Sequence, residues 1–287
     1  MDNKLNLNDG GISERQGIVV TILGTRGSVP VFGDSYSVFG GATSCIKVVA
    51  LGTADGSAND EEIYLDAGSG IVQTEIKPDS HISILFSHMH LDHLIGLPFF
   101  IGLSQKGRKI DLYGVPRDGL TIEESMVRAF SPPFWPLKIT DYPADTKMHA
   151  LPEAFDIGKL HVETKEVNHP GGCTSIKISL GDKSMVYLTD FEHTGADLEG
   201  VKSFIKDTDL LIYDGQYTED EYKVCKGFGH SVPEFGVGFA GEAGAKRVIF
   251  THHAPNHDDA FLSSWEERLK KDFESASFAR GGETIIL

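Results

Sequence analysis

Cysteine is scarce in this chain. There are three in 287 residues, Cys45, Cys173 and Cys225, and no two form a C-x-x-C pair. So odd and widely spaced a set excludes a disulfide framework and fits a reducing compartment. It also gives no basis for a cysteine-built structural zinc site. Long apolar runs are missing as well, so no segment reads as a membrane-spanning helix. The opening MDNKLNLNDGGISERQG is polar and lacks the apolar core of a signal peptide, which makes the cytoplasm the expected location. Positive charge is the third shortage: 26 Lys and Arg stand against 42 Asp and Glu, a formal net charge of −16. Long nucleic acid is held largely by phosphate neutralisation, and an acidic surface opposes that. The argument concerns the global field only, because a buried metal pair still attracts one small anion locally.

What is present is the composition of an ordinary globule, 40% hydrophobic and 24% charged, in a chain long enough to bury a proper core. Residues 1–16 read as a disordered lead-in and 17–287 as one domain. Apolar, β-branched runs ending at turn residues predict strands over 18–23, 43–51, 62–68, 81–88, 109–115, 160–167, 174–180, 184–190, 210–214 and 247–253, with ETIIL as a closing strand. Helices are predicted over 92–103, 120–130, 197–206, 233–245 and 260–275. Two halves, each of strands and then helices, suggest sheets packed together with helices outside. Four prolines (Pro132, Pro133, Pro136, Pro143) make 131–145 a loop; Phe134 and Trp135 are candidates to cover a site or a partner surface, and the preferred reading is a loop packed onto its own domain.

The segment SHMHLDH, residues 87–93, carries the chemistry. His88 and His90 are two apart, so on an extended stretch their side chains leave one face. Asp92 and His93 follow where the chain turns, and four ligand-type side chains thus radiate from one bend after the apolar run ISILF. Imidazole mixed with carboxylate suits zinc, manganese or iron(II) and does not suit calcium. Other strand ends supply further ligand types: His169 after 160–167, Asp190 ending 184–190, and the doublet His252–His253 ending 247–253.

The pattern H-x-H-x-D-H, followed at these intervals by His, Asp and His, resembles the metallo-β-lactamase superfamily. The resemblance runs from about Ile18 to the C-terminus and includes LGTRGSVP, GGATSC, LDAGSG and THHAPNHDD. It looks most like a phosphodiesterase-like branch, similar to small cyclic-phosphodiester hydrolases and more distantly to tRNA 3′-processing nucleases. The resemblance implies an α/β fold, a four-layer αβ/βα sandwich of two mixed sheets flanked by helices. It implies two divalent metals, zinc foremost, with manganese or iron(II) as alternatives. His88, His90 and His169 would hold one metal, and Asp92, His93 and one of the doublet, assigned to His252, the other. Asp190 would bridge them. Asp66, in LDAGSG, is a candidate partner for a ligand histidine or a turn cap; Arg26 is a candidate anion contact or a structural cation.

A phosphodiester's alkoxide leaves poorly unless it is protonated. Asp214, ending 210–214, and His230, in GFGHSVPE, form a candidate proton-donating pair; the alternative is that His230 merely enters a helix capped by Ser231. Asp92, Asp214 and His230 are the residues expected to act in catalysis. The expected reaction is hydrolysis of a small cyclic phosphodiester, a cyclic nucleotide or phosphoribosyl cyclic phosphate, by metal-bound hydroxide. A tRNA 3′-processing-type endoribonuclease is the nearest alternative, but 131–145 holds one basic residue, Lys138, and no basic arm is evident. A lactonase or other carbonyl hydrolase would use the same metal site. The expected partner is a small phosphodiester substrate, with no long nucleic acid and no membrane; the resemblance, whose members are often dimers, implies a second copy of the chain as a further candidate.

Overall fold

The structure, a computed structural model, describes residues 17–51 and 61–287. The lead-in expected over 1–16 lies outside the described residues.

Among the described residues, fourteen strands form two seven-stranded sheets. The first contains β1 (Gly17–Gly24), β2 (Cys45–Leu51), β3 (Glu61–Leu65), β4 (His81–Leu85), β5 (Lys109–Gly114) and β6 (Asp145–Ala150). The second contains β7 (Ala154–Ile157), β8 (Leu160–Val167), β9 (Cys173–Leu180), β10 (Lys183–Leu188), β11 (Leu210–Asp214), β12 (Val248–Thr251) and β13 (Ala276–Phe278), while β14 (Thr284–Ile286) returns to pair with β1. Both sheets are mixed in the same way. The run β14-β1-β2-β3 is antiparallel and β3-β4-β5-β6 parallel; β7-β8-β9-β10 is antiparallel and β10-β11-β12-β13 parallel.

The inner faces meet in a core of Ile18, Val20, Ile46, Val48, Ile63, Leu65, Ile176, Ile178, Ile212 and Ile249. The outer face of the second sheet is covered by α2 (Leu198–Phe204), α4 (Pro233–Ala243) and α5 (Asp259–Leu269) through Val201, Phe239, Ala240, Leu262 and Trp265. The outer face of the first is covered by α1 (Ile122–Ala129) and by the chain over 91–104, through Met126, Leu94, Leu97 and Phe100. A short polar helix of seven residues, α3 (Glu219–Cys225), buries no residue. This is the four-layer α/β sandwich expected from the sequence.

Two local expectations fail, and two strands were not expected. The stretch 92–103 is not one helix but three 3-10 turns, Leu91–His93, Leu97–Phe99 and Ile101–Ser104. Pro98 and two glycines interrupt it, and at Gly96 a Cβ would lie 2.0 Å from the Gly68 carbonyl oxygen, so the chain is packed too closely for a side chain there. The last helix stops at Leu269, and the residues beyond supply β13 instead. Strands β6 and β7 were not legible, because DTKMHA is half exposed and poor in branched residues.

Candidate metal centre

Parallel strands place their carboxyl ends on one side, and ligands in α/β sheets gather there. Here the parallel halves of both sheets end at the same place. Asp66 follows β3, His88–His93 follow β4, Asp190 follows β10, Asp214 ends β11 and His252 follows β12. His169 joins them from the β8–β9 connection. Asp66, Asp190 and His252 each leave their strand with positive φ (61°, 49° and 62°). That region is sparsely populated by non-glycine residues and carries strain on the order of 1–3 kcal/mol each, which here turns a side chain sharply into the cluster.

The donors fall into two groups around Asp190. One Asp190 oxygen, Oδ1, lies 3.8 Å from His88 Nε2 and 3.7 Å from His169 Nε2, and His169 Nε2 is 3.2 Å from His90 Nδ1. The other, Oδ2, lies 3.1 Å from His93 Nε2 and 3.4 Å from His252 Nε2. Asp92 Oδ2 closes the second group at 3.1 Å from His252 Nε2 and 3.4 Å from His93 Nε2. Donor atoms within the set His88, His90, His169 and Asp190, and within Asp92, His93 and His252, all approach one another within 4.8 Å.

These contacts fit divalent cations. His88 Nε2 is buried without a hydrogen-bond partner, an orphan aimed into the cluster. The carboxylates Asp66, Asp92, Asp190 and Asp214 find only histidines as ion-pair partners among the described residues. Burying that much negative charge without lysine or arginine is costly unless cations join it. The field of the side chains divides the histidines. Burial lowers the pKa of His88 well below the ordinary value and also lowers those of His90 and His169. Burial opposes the charged form of His93 and His252 too, but Asp190 outweighs it together with Asp66 and Asp92 at His93 and with Asp92 and Asp214 at His252, raising His93 well above the ordinary value and His252 to about 9. Burial likewise disfavours charged Asp92 and Asp190, yet the surrounding histidines hold both well below the usual carboxylate range.

Outer partners orient the rings. His93 Nδ1 donates to Asp66 Oδ2 at 2.7 Å, and Asp66 also accepts from Ser87 N, Ser87 Oγ and Tyr187 Oη. Because the Ser87 hydroxyl donates to Asp66, it accepts from His88 Nδ1 (3.1 Å), so Asp66 reaches His88 through one relay. His252 Nδ1 donates to Gln216 Oε1 at 2.6 Å, and His169 Nδ1 to the Gly229 carbonyl at 2.8 Å. At Gly27 a Cβ would lie 2.2 Å from His252 Nδ1, so that ring occupies the space of a side chain. Within the doublet, His252 faces the cluster; His253 turns away and donates from Nε2 to the Ala279 carbonyl. Arg26 is fully buried and donates to the carbonyls of Gly40, Ala254 and His257, a structural cation. Asp258 caps α5, and Asp259 accepts from the amides of Val38 and Phe39. Sequence reasoning does not reach Ser87, Tyr187 or Gln216, which are common residue types; Gln216 carries a signal, two residues past the strand-end Asp214.

His230 Nδ1 pairs with Asp214 Oδ2 at 2.8 Å, and Asp214 Oδ1 accepts from the amides of Gln216 and Ser231. The His230 ring stacks on His252, centroids 4.8 Å apart, and meets the edge of His169 at 5.3 Å. Ser231 does not cap α4, whose N-cap is Val232; its hydroxyl meets Tyr213 and His193. A cleft of about 400 Å³ opens on the His88–His90 side, walled by Met89, Arg117, Leu120, Arg128 and Gly172. Larger space, about 460 Å³ near His81, Lys106 and Lys109, lies at the opposite ends of the strands, away from the donors.

Residues 61–253 match the family model of the β-lactamase superfamily domain. The ribonuclease Z of Ligilactobacillus salivarius is 22% identical to this chain over 84% of it and 90% of the relative. Among solved structures, YhfI of Bacillus subtilis, a metallo-β-lactamase fold protein, superposes with a TM-score of 0.68 at 19% identity, covering 94% of this chain and all of YhfI. A diphosphatase of the PhnP family gives 0.67 at 18% identity over 93% of this chain and 97% of its own. The chain belongs to the β-lactamase superfamily and is a metal-dependent hydrolase of the metallo-β-lactamase fold.

Proposed function

We propose that this protein is a two-metal phosphodiesterase acting on a small cyclic phosphodiester. His88, His90 and His169 would hold one divalent ion, Asp92, His93 and His252 the other, and Asp190 would serve both through its two oxygens. Imidazole with carboxylate favours zinc, with manganese or iron(II) as alternatives. Such ions, when bound, lower the pKa of a water to about 7 and neutralise charge on a phosphoryl oxygen.

The observation that carries the phosphodiester reading is the Asp214–His230 pair beside the donor set. Asp214 holds the ring through Nδ1, so the imidazolium form would give its Nε2 proton to a departing alkoxide and be left as the neutral ring with Nδ1–H still on Asp214. A carbonyl hydrolase has less need of such a donor. The cleft beside His88 and His90 lies in the range of small-ligand pockets; Arg128 is on its wall, while Arg117 is paired with Glu166 and Asp118 also lines it. Net charge of −16 argues for a small substrate over a long polyanion. A second reading, ribonuclease action on tRNA ends, draws on the likeness to ribonuclease Z.

The test is a panel of cyclic nucleotides, phosphoribosyl cyclic phosphate, bis(p-nitrophenyl) phosphate and precursor tRNA, offered to protein of verified metal content. Turnover of the small cyclic diesters above the tRNA is expected. No turnover of any phosphodiester would sink the reading, and preferred cleavage of tRNA would replace it with the second. His230→Ala should cut turnover of an alkyl diester by about 10²–10⁴-fold while leaving metal content unchanged.

A further inference from the structure

We propose that Glu192 is a positioning residue that holds His230 in place by clamping the glycine turn in front of it; this rests on His230 being the proton donor. Glu192 lies two residues beyond Asp190, yet its carboxylate points away from the donor set and is buried, 4% exposed. Its Oε1 accepts from the Gly227 amide at 2.7 Å and from Tyr222 Oη at 2.9 Å, and its Oε2 from the Gly229 amide at 3.0 Å. The Tyr222 hydroxyl, having donated to Glu192, accepts from Thr194 Oγ1 at 2.6 Å. Both oxygens are thus spent on the segment that leads into His230.

That segment cannot hold itself. Gly227 and Gly229 both have positive φ, 91° and 93°, and a Cβ at Gly229 would strike the His169 ring at 2.1 Å. Glycines accept this backbone but have no side chain with which to fix it, so the restraint comes from outside. A buried carboxylate accepting two backbone N–H bonds is a strong restraint, because hydrogen bonds to a carboxylate are stronger than those between neutral groups. The same turn presents the Gly229 carbonyl to His169 Nδ1, and the Glu192 amide donates to the Asn168 carbonyl next door. Glu192 therefore ties the proton-donor turn to the loops that carry Asp190 and His169. It touches neither donor atoms nor the cleft.

Metal-loaded Glu192→Gln and Glu192→Asp are compared with the parent on two diesters, one with an alkoxide leaving group and one with p-nitrophenolate, which leaves without a proton. For the alkyl ester kcat should fall about 10–100-fold in Glu192→Gln with KM within threefold, while the nitrophenyl ester loses less than threefold and metal content stays at the parent value. Glu192→Asp keeps the charge but is one methylene short, and should give an intermediate loss. Equal loss on both esters, or metal loss, would overturn the proposal, because either marks a general structural role; so would no loss on either. Amide exchange over 226–231, followed by mass spectrometry, tests the clamp without activity: it should quicken in Glu192→Gln while 248–253 stays protected, and unchanged exchange would contradict it. Should the parent hydrolyse neither ester, the phosphodiesterase reading fails, and the exchange result still decides the clamp.

Discussion

The two halves of the donor set are built differently. The Asp92–His93–His252 half is deep: His93 and His252 are buried, their outer nitrogens bind a carboxylate and an amide oxygen, and nearby carboxylates raise both pKa values. The His88–His90–His169 half is shallower. His90 is exposed, the outer partners are a serine hydroxyl and a backbone carbonyl, and burial lowers all three pKa values. The difference teaches a division of labour. On the proposed function, the deep half would be an electrostatic anchor for a cation, and the shallow half, which borders the cleft, would be the side that meets substrate.

Asp190 is where the comparison breaks most completely, since it serves both halves. Asp190→Asn should lose most bound metal and essentially all turnover, read by elemental analysis and kinetics together. The next largest effect separates the halves. Asp66→Asn should weaken metal binding about 10–100-fold, whereas Ser87→Ala, which removes only the relay to His88, should cost less. Competition with a chromophoric chelator measures both; a Ser87→Ala effect equal to that of Asp66→Asn would remove the asymmetry.

A smaller effect follows from pH. His252 has a folded pKa raised to about 9, so in metal-free protein it contributes stability that is fully present below its unfolded value near 6.5 and is lost as pH rises through about 9. His93, raised in the same direction, adds to this. Metal-free protein should therefore lose thermal stability between about pH 6.5 and 9, and the gain in Tm on adding metal should widen over that window. His252→Gln should flatten the trend, and a gap that narrows with pH would contradict the assignment.

Much of this site can be read from the sequence because parallel strands leave their marks in order. An apolar run followed by His or Asp is a strand end, and five of these meet at one place. The doublet 252–253 shows the limit. Two adjacent histidines look alike in sequence, and it is the positive φ of His252 that turns one ring inward and sends the other toward Ala279. The stretch 92–103 misleads because its apolar spacing imitates a helix while Gly96, Pro98 and Gly102 forbid one. Helix α3 has no apolar face to find, although Thr218 with Glu221 spells a capping box. Glu192, charged and set in a loop, looks like surface in sequence and is buried only because three donors converge on it.

The most direct test of two unequal half-sites sharing one aspartate is a metal count by native mass spectrometry on the parent and on His90→Ala. Two ions per chain in the parent and one in His90→Ala are expected. One ion in the parent, or both retained in the variant, would contradict the account.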